Sequence, residues 1–143
     1  DQTVRKWDVA EGKELAVMKG HTGAVLAVGI SPDGSRIASA GEDASLRLWE
    51  PVAGGELAKM DGTSAPIRCL RFSPDGKYIA TGSNNQVVRT WRADTGQLSR
   101  TFFGHFSEIY DVVWSLDSRF LFSGSSDQQV KVWLLEEASE VLN

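Results

Sequence analysis

Four tryptophans, Trp7, Trp49, Trp91 and Trp133, each stand 42 residues from the next. A chain that returns the same residue at a fixed step is built from copies of one small unit. Each unit buries its apolar face only by stacking on its neighbours. Other positions keep the same register. Ile30, Phe72 and Trp114 share one slot, Gly20, Gly62 and Gly104 a second, and Ser39, Thr81 and Ser123 a third. Ser31-Pro32-Asp33-Gly34 returns as Ser73-Pro74-Asp75-Gly76, and in weaker form as Ser115-Leu116-Asp117-Ser118. No insertion or deletion interrupts the register.

Within one period, strand follows strand. Val25 to Ile30 is an apolar run with a break in its alternation, which predicts a buried strand carrying a bulge. In the Ser-Pro-Asp-Gly segment, proline presets φ at the second turn position and glycine accepts φ > 0, so a tight hairpin turn follows. Arg36 to Ala40 is a second strand rich in small residues, and Glu42-Asp43-Ala44 turns the chain again. Leu46 to Trp49 alternates as a third strand, and the more polar Glu56 to Met60 suits a fourth at an outer edge. Helical periodicity is absent from every segment of useful length. The tail from Leu135 to Asn143 falls where a fourth strand would start.

Four short strands in about 42 residues fit one blade of a propeller. With Gly20-His21, Gly104-His105, the two Ser-Pro-Asp-Gly turns and the four tryptophans, the sequence resembles the WD-repeat family over its whole length. Only Trp7-Asp8 is a literal Trp-Asp pair. The resemblance implies an all-β fold of WD40-type β-propeller blades, each of four antiparallel strands. In this register, residues 1–19 close a preceding blade, 20–61 and 62–103 are two full repeats, 104–135 is a partial third, and 136–143 is a tail. About 3.4 repeats fall short of the ~4–8 blades that close a ring. The expectation is an incomplete ring from a longer propeller, completed by the rest of the same chain or by a second copy.

One polar set recurs at the repeat step. His21, Ser39, Asp43 and Trp49 return as His105, Ser123, Asp127 and Trp133. Asp, His and Ser together are the components of a hydrolase triad. Yet the set occurs twice, each Ser lies in a small-residue strand, and no G-x-S-x-G elbow is present. Each set also includes a tryptophan, whose indole N–H seeks a buried acceptor. A chain from Trp N–H to Ser hydroxyl to His to Asp satisfies each polar atom in turn. The resemblance implies that these positions form a structural hydrogen-bond network within a blade. The middle repeat holds Thr63, Thr81, Asn85 and Trp91 instead, so its network is incomplete and its blade is expected to be the softest.

Composition narrows the remaining chemistry. The net charge of -4 offers no footprint for a phosphate backbone, so direct nucleic-acid contact is not expected. No run approaches the ~18 apolar residues of a membrane span. The single Cys69 lies in an apolar run and reads as a buried residue of an intracellular, reducing compartment. Both histidines belong to the polar sets, leaving no metal-ligand cluster, and no phosphate-binding glycine loop is present. No cofactor or metal is expected. Glu136, Glu137 and Glu140 read as solvated surface or linker.

These points favour a non-enzymatic scaffold that holds other proteins or peptides within a multiprotein complex. A regulatory or sensor module fused to a kinase or NTPase on a longer chain is the alternative. The family's loop face implies the candidate contact residues. By register they are Leu26 and Glu42 in the first full repeat, Arg68 and Asn84 in the second, and Glu108 and Tyr110 in the third. Arg68 and Tyr110 lead the set, because arginine and tyrosine are enriched at interface hot spots.

Overall fold

The computed structural model describes residues 1–135. The expectations for Glu136, Glu137, Glu140 and the rest of the tail lie outside the described residues. Those described contain thirteen strands and no helix. The strands are β1 (Thr3–Asp8), β2 (Lys13–Lys19), β3 (Val25–Ile30), β4 (Ile37–Gly41), β5 (Leu46–Trp49), β6 (Glu56–Met60) and β7 (Ile67–Phe72). They continue as β8 (Tyr78–Ser83), β9 (Val88–Arg92), β10 (Leu98–Phe102), β11 (Ile109–Trp114), β12 (Phe120–Ser125) and β13 (Val130–Leu134). Each strand pairs antiparallel with its sequence neighbour inside one of four sheets: β1-β2, β3-β4-β5-β6, β7-β8-β9-β10 and β11-β12-β13. The fold is therefore all-β, with open sheets in the manner of an unclosed propeller.

Turn chemistry sets the hairpins. Ser31 O accepts from Gly34 N at 2.8 Å, and Ser31 Oγ donates to Asp33 Oδ1 at 2.6 Å. Gly34 and Gly76 take φ of 71° and 73°, the left-handed region where a side chain is costly. Ser118 occupies the same slot of the weaker third turn at φ 60°. The turns between the second and third strands of each blade place Ala44, Gln86 and Gln128 at φ 58°, 71° and 68°.

Stacking the sheets builds the core. β7 packs between β3 and β11. Leu46, Leu48, Ile67, Leu70, Ile79 and Trp91 fill the layer between the first and middle full blades. Cys69, Val88, Ile109, Val112 and Leu121 fill the next layer. Gly82 is fixed by this approach, since a Cβ there would run into Ile109 and the Cys69 sulfur. Val4, Met18 and Trp49 join β1-β2 to the first full blade.

Among the described residues, the outward faces of the arc keep core chemistry without a cover. Val130 is 73% exposed, whereas Leu46 and Val88, at the same repeat position, are fully buried. Val28 is 56% exposed, and its counterparts Leu70 and Val112 are fully buried.

Candidate interaction site

The polar sets predicted from sequence come together in two blades. In the first, Trp49 Nε1 donates to Ser39 Oγ at 2.8 Å, and Ser39 Oγ lies 2.7 Å from His21 Nε2. His21 Nδ1 lies 2.9 Å from Asp43 Oδ2. The indole N–H can only donate, so the Ser39 oxygen accepts it and its own hydrogen goes to Nε2. That leaves Nδ1–H to donate to Asp43, an assignment made from the bonding pattern. Asp43 also accepts from the backbone N–H of Thr22 at 3.0 Å and from Ser45 Oγ at 2.9 Å. Thus the chain begins on the core tryptophan and ends on loop backbone.

The third blade repeats the arrangement. Trp133 Nε1 donates to Ser123 Oγ at 2.9 Å, His105 Nε2 lies 2.8 Å from the same oxygen, and His105 Nδ1 lies 2.8 Å from Asp127 Oδ2. Phe106 N–H closes the chain on Asp127 at 2.9 Å. Burial pushes the Asp43 and Asp127 carboxyls up, but the bonds from Thr22 and His21, and from Phe106 and His105, outweigh it. Both carboxyls are held at about 2.

In the middle blade only the inner half survives. Trp91 Nε1 donates to Thr81 Oγ1 at 2.9 Å. Thr63 turns instead to the Ala44 carbonyl of the first blade. Asn85 Nδ2 donates to Ser64 Oγ at 3.2 Å, and Ser83 Oγ donates to Asn85 Oδ1 at 2.6 Å. A weaker amide-to-hydroxyl tie replaces the carboxylate that binds loop backbone elsewhere.

As chemistry, these sets offer little to a substrate. His21, His105, Ser39 and Ser123 are all buried. Each serine oxygen is already occupied by an indole and an imidazole. Cys69 is likewise enclosed, and burial pushes its thiol up to about 12, away from the reactive thiolate. Among the described residues, no group of three or more His, Cys, Asp or Glu side chains could hold a metal ion. No helix there is long and apolar enough to cross a membrane.

The candidate contact residues converge elsewhere. On the innermost strands, pairing slips between Val25 and Ala27, between Ile67 and Cys69, and between Ile109 and Asp111. The residue left out of the ladder in each blade is Leu26, Arg68 or Tyr110. A bulge re-aims its side chain out of the strand's alternation. Three equivalent bulges turn these three side chains toward one cavity of about 350 Å³, open to solvent along the inner strand edges. Val28, Arg71 and Asp111 also line it.

Neighbouring candidates hold its rim. Arg68 Nε donates to Asn84 Oδ1 at 2.5 Å, and Arg68 Nη2 lies 3.5 Å from Glu108 Oε2. Glu42 does not join this group. It sits exposed on the turn after β4, its backbone N–H donating to the Ala24 carbonyl at 2.9 Å. The same backbone bond recurs from Asn84 to Pro66 and from Ser126 to Glu108, so the rim is built alike in all three blades.

Sequence reasoning missed Arg71 and Asp111. Regular alternation points residues three apart to opposite faces. The break in alternation was the signal that Arg68 and Arg71 can share one side.

The model of the WD domain, G-beta repeat family matches residues 12–50, 54–92 and 96–133, more than half of the chain. The chain belongs to the WD-repeat family. The matched segments start at residues 12, 54 and 96, the same step as the tryptophans. An uncharacterized WD repeat-containing protein of Schizosaccharomyces pombe is 39% identical over 46 residues, covering 32% of this chain and 12% of that protein. The small ribosomal subunit protein RACK1y of Oryza sativa subsp. japonica is 42% identical over 45 residues, covering 32% of this chain and 13% of its own length. The matched stretch is thus about one eighth of either relative. WD-repeat proteins are in general protein-interaction scaffolds, and this chain has their repeats.

Proposed function

We propose that this WD-repeat chain is a non-catalytic interaction scaffold that holds a protein or peptide in a multiprotein complex, at the cavity rimmed by Leu26, Arg68 and Tyr110. One observation carries the reading: the same bulge in three successive blades aims three exposed side chains into one cavity. Arginine and tyrosine on a rigid sheet edge lose little freedom when they bind, which suits them to anchor an interface. Asn84 and Glu108 steady Arg68 at its rim. The Trp-Ser-His-Asp sets are wiring within the blades, since burial leaves no nucleophile free. One relative bears the name of a small ribosomal subunit protein, which is in keeping with work inside an assembly. The net charge of -4 favours protein over phosphate backbone as the surface contacted.

The test is quantitative affinity capture with the full chain beside its Arg68→Ala/Tyr110→Ala variant. Proteins retained by the parent should fall at least about tenfold in the variant, since two anchors of this type are each worth over 1 kcal/mol. An unchanged set of retained proteins removes the cavity as the binding site.

Ring completion is a separate proposal. The outward faces carry Val28 at one end and Phe122, Val130 and Val132 at the other, in slots that are core between stacked blades. Further blades, from the rest of the same chain or from a second copy, are what such faces fit. Solution mass by light scattering distinguishes a monomeric arc from a paired one.

A further inference from the structure

Directly after β6, Asp61-Gly62 begins the loop that enters the middle blade. An aspartate followed by glycine can react with its own backbone. The next amide nitrogen attacks the side-chain carboxyl carbon and closes a five-membered ring. Glycine allows the approach, because it has no Cβ and reaches backbone conformations closed to other residues. The chain has three such steps, Asp33-Gly34, Asp61-Gly62 and Asp75-Gly76. Their settings differ.

Two of the three are locked into hairpin turns. Gly34 N–H donates to the Ser31 carbonyl at 2.8 Å, and Gly76 N–H to the Ser73 carbonyl at 2.9 Å, so neither nitrogen is free to attack. Their carboxylates are held too. Asp33 Oδ1 accepts from Ser31 Oγ at 2.6 Å and from the Ser35 N–H at 3.0 Å. Asp75 Oδ1 accepts from Ser73 Oγ at 2.6 Å and from the Lys77 N–H at 3.0 Å. The bonds from Ser31 and Ser35 hold the Asp33 carboxyl down at about 2, whereas ring closure consumes the neutral acid.

Asp61 has a looser setting. Its carboxylate is 70% exposed and meets Lys59 Nζ at 3.0 Å, an exposed ion pair of the kind that holds little. Gly62 takes φ of 124°, and a Cβ built on it would meet nothing within 4 Å. Its N–H finds no backbone acceptor among the described residues. The carboxylate that binds Thr22 and Phe106 just after the same glycine in the flanking blades is replaced here by Asn85.

We propose that Asp61-Gly62 is a self-modification site that converts to isoaspartate, while the fold protects the other two Asp-Gly steps. The Gly62 nitrogen gives its proton to water and bonds to Asp61 Cγ, whose hydroxyl leaves as water. The ring then takes up one water. Opening at the side-chain carbonyl restores aspartate. Opening at the main-chain carbonyl breaks the original peptide bond and routes the chain through Cβ and Cγ. One water is lost and one regained, so the net change is an isomerisation. The product adds a methylene to the backbone between β6 and β7, at the joint of the two full blades, and leaves a carboxylate as a branch.

The test is incubation of the full chain in heavy-oxygen water at neutral pH, followed by tryptic digestion in ordinary water and mass spectrometry. Cleavage after Arg36, Lys59 and Arg71 puts the three Asp-Gly steps on separate peptides. Each ring opening fixes one heavy oxygen. The Asp61 peptide should gain label at least about tenfold faster than the other two, because at least two hydrogen bonds must open first at those steps. In concentrated urea the three rates should converge. Asp61→Glu should abolish the label on its peptide, since its longer side chain would have to close a six-membered ring. Label at Asp33 or Asp75 as fast as at Asp61 in the folded chain overturns the proposal, as does no label at Asp61. An unchanged ratio in urea also overturns it, since sequence neighbours rather than the fold would then select the site.

Discussion

The first and middle full blades share strand order, turn geometry and a tryptophan in the same slot, yet their polar chains differ in length. In the first, the chain runs from Trp49 through Ser39, His21 and Asp43 to the Thr22 backbone. In the middle blade it stops at Thr81, and Thr63 and Asn85 bond elsewhere. The core beneath is as well buried in the middle blade, where Ile67, Leu70, Ile79 and Val88 are fully enclosed. Apolar stacking on both faces therefore holds the strands, and the polar chain adds the attachment of the loop that enters the blade. This sharpens the sequence expectation of a soft middle blade. The weakness is then expected in the segment around Gly62-Thr63-Ser64 more than in the strands of that blade. A Cβ at Gly62 would meet nothing within 4 Å, whereas one at Gly20 would strike Arg47 and crowd the Trp49 ring.

The largest effect expected from this contrast is at His21. His21→Ala leaves Ser39 and Asp43 without their central partner and opens a ring-sized gap, so it should cost about 2–4 kcal/mol in denaturant unfolding. Thr63→Ala, at the same slot, should cost about 1 kcal/mol or less. Equal losses would break the comparison.

Acid should act on the same difference. Asp43 and Asp127 sit at about 2 in the fold, below the 3.8 of a free aspartate. A folded pKa below the unfolded one contributes stability above pH 4 that drains away as pH falls toward 2. Asp43→Ala should flatten the acid-unfolding curve over that window, and Asn85→Ala should leave its slope unchanged.

Grafting the missing residues tests the contrast in reverse. Thr63→His with Asn85→Asp should stabilise the chain by about 1 kcal/mol, the net worth of a satisfied polar link. Asn85→Asp alone should destabilise it, since the carboxylate then lacks its imidazole donor.

A smaller gain, about 0.5–1 kcal/mol, is expected from Ala44→Gly, because φ 58° suits glycine better than alanine. Gln86→Gly should give a similar gain, as the turn is common to both blades. The smallest effect concerns the arginine two residues before Trp49 and before Trp91. Arg47 pairs with Glu56 and bonds Ser45 at 3.3 Å, whereas Arg89 Nη1 is buried without a hydrogen-bond partner among the described residues. Leu98 stands opposite Trp91 as Glu56 stands opposite Trp49. Leu98→Glu should add about 0.5 kcal/mol in a thermal melt.

Much of this organisation is legible in the sequence because the repeat is strict. A residue recurring every 42 positions announces the blade, and Pro and Gly in the hairpin turns announce strand ends. The broken alternation from Val25 to Ile30 announces the bulge that aims Leu26. Less legible is what depends on contacts between blades. Nothing in Thr63 marks its turn to the Ala44 carbonyl, because that acceptor belongs to the blade before it. Ala44, Gln86 and Gln128 adopt positive φ without being glycine or asparagine, since the hydrogen bonds of the turn impose it. The pairing of Arg71 with Asp111 required two inner strands to be set side by side.

Native-state hydrogen exchange at three equivalent amides tests the contrast most directly. Thr22 and Phe106 donate their N–H groups to buried-network carboxylates, while Ser64 occupies the same slot in the truncated blade. Thr22 and Phe106 should exchange at least about tenfold more slowly than Ser64, reflecting one charge-assisted bond each. Exchange at Ser64 as slow as at the other two would contradict the assignment of the polar chain as the anchor of the loop.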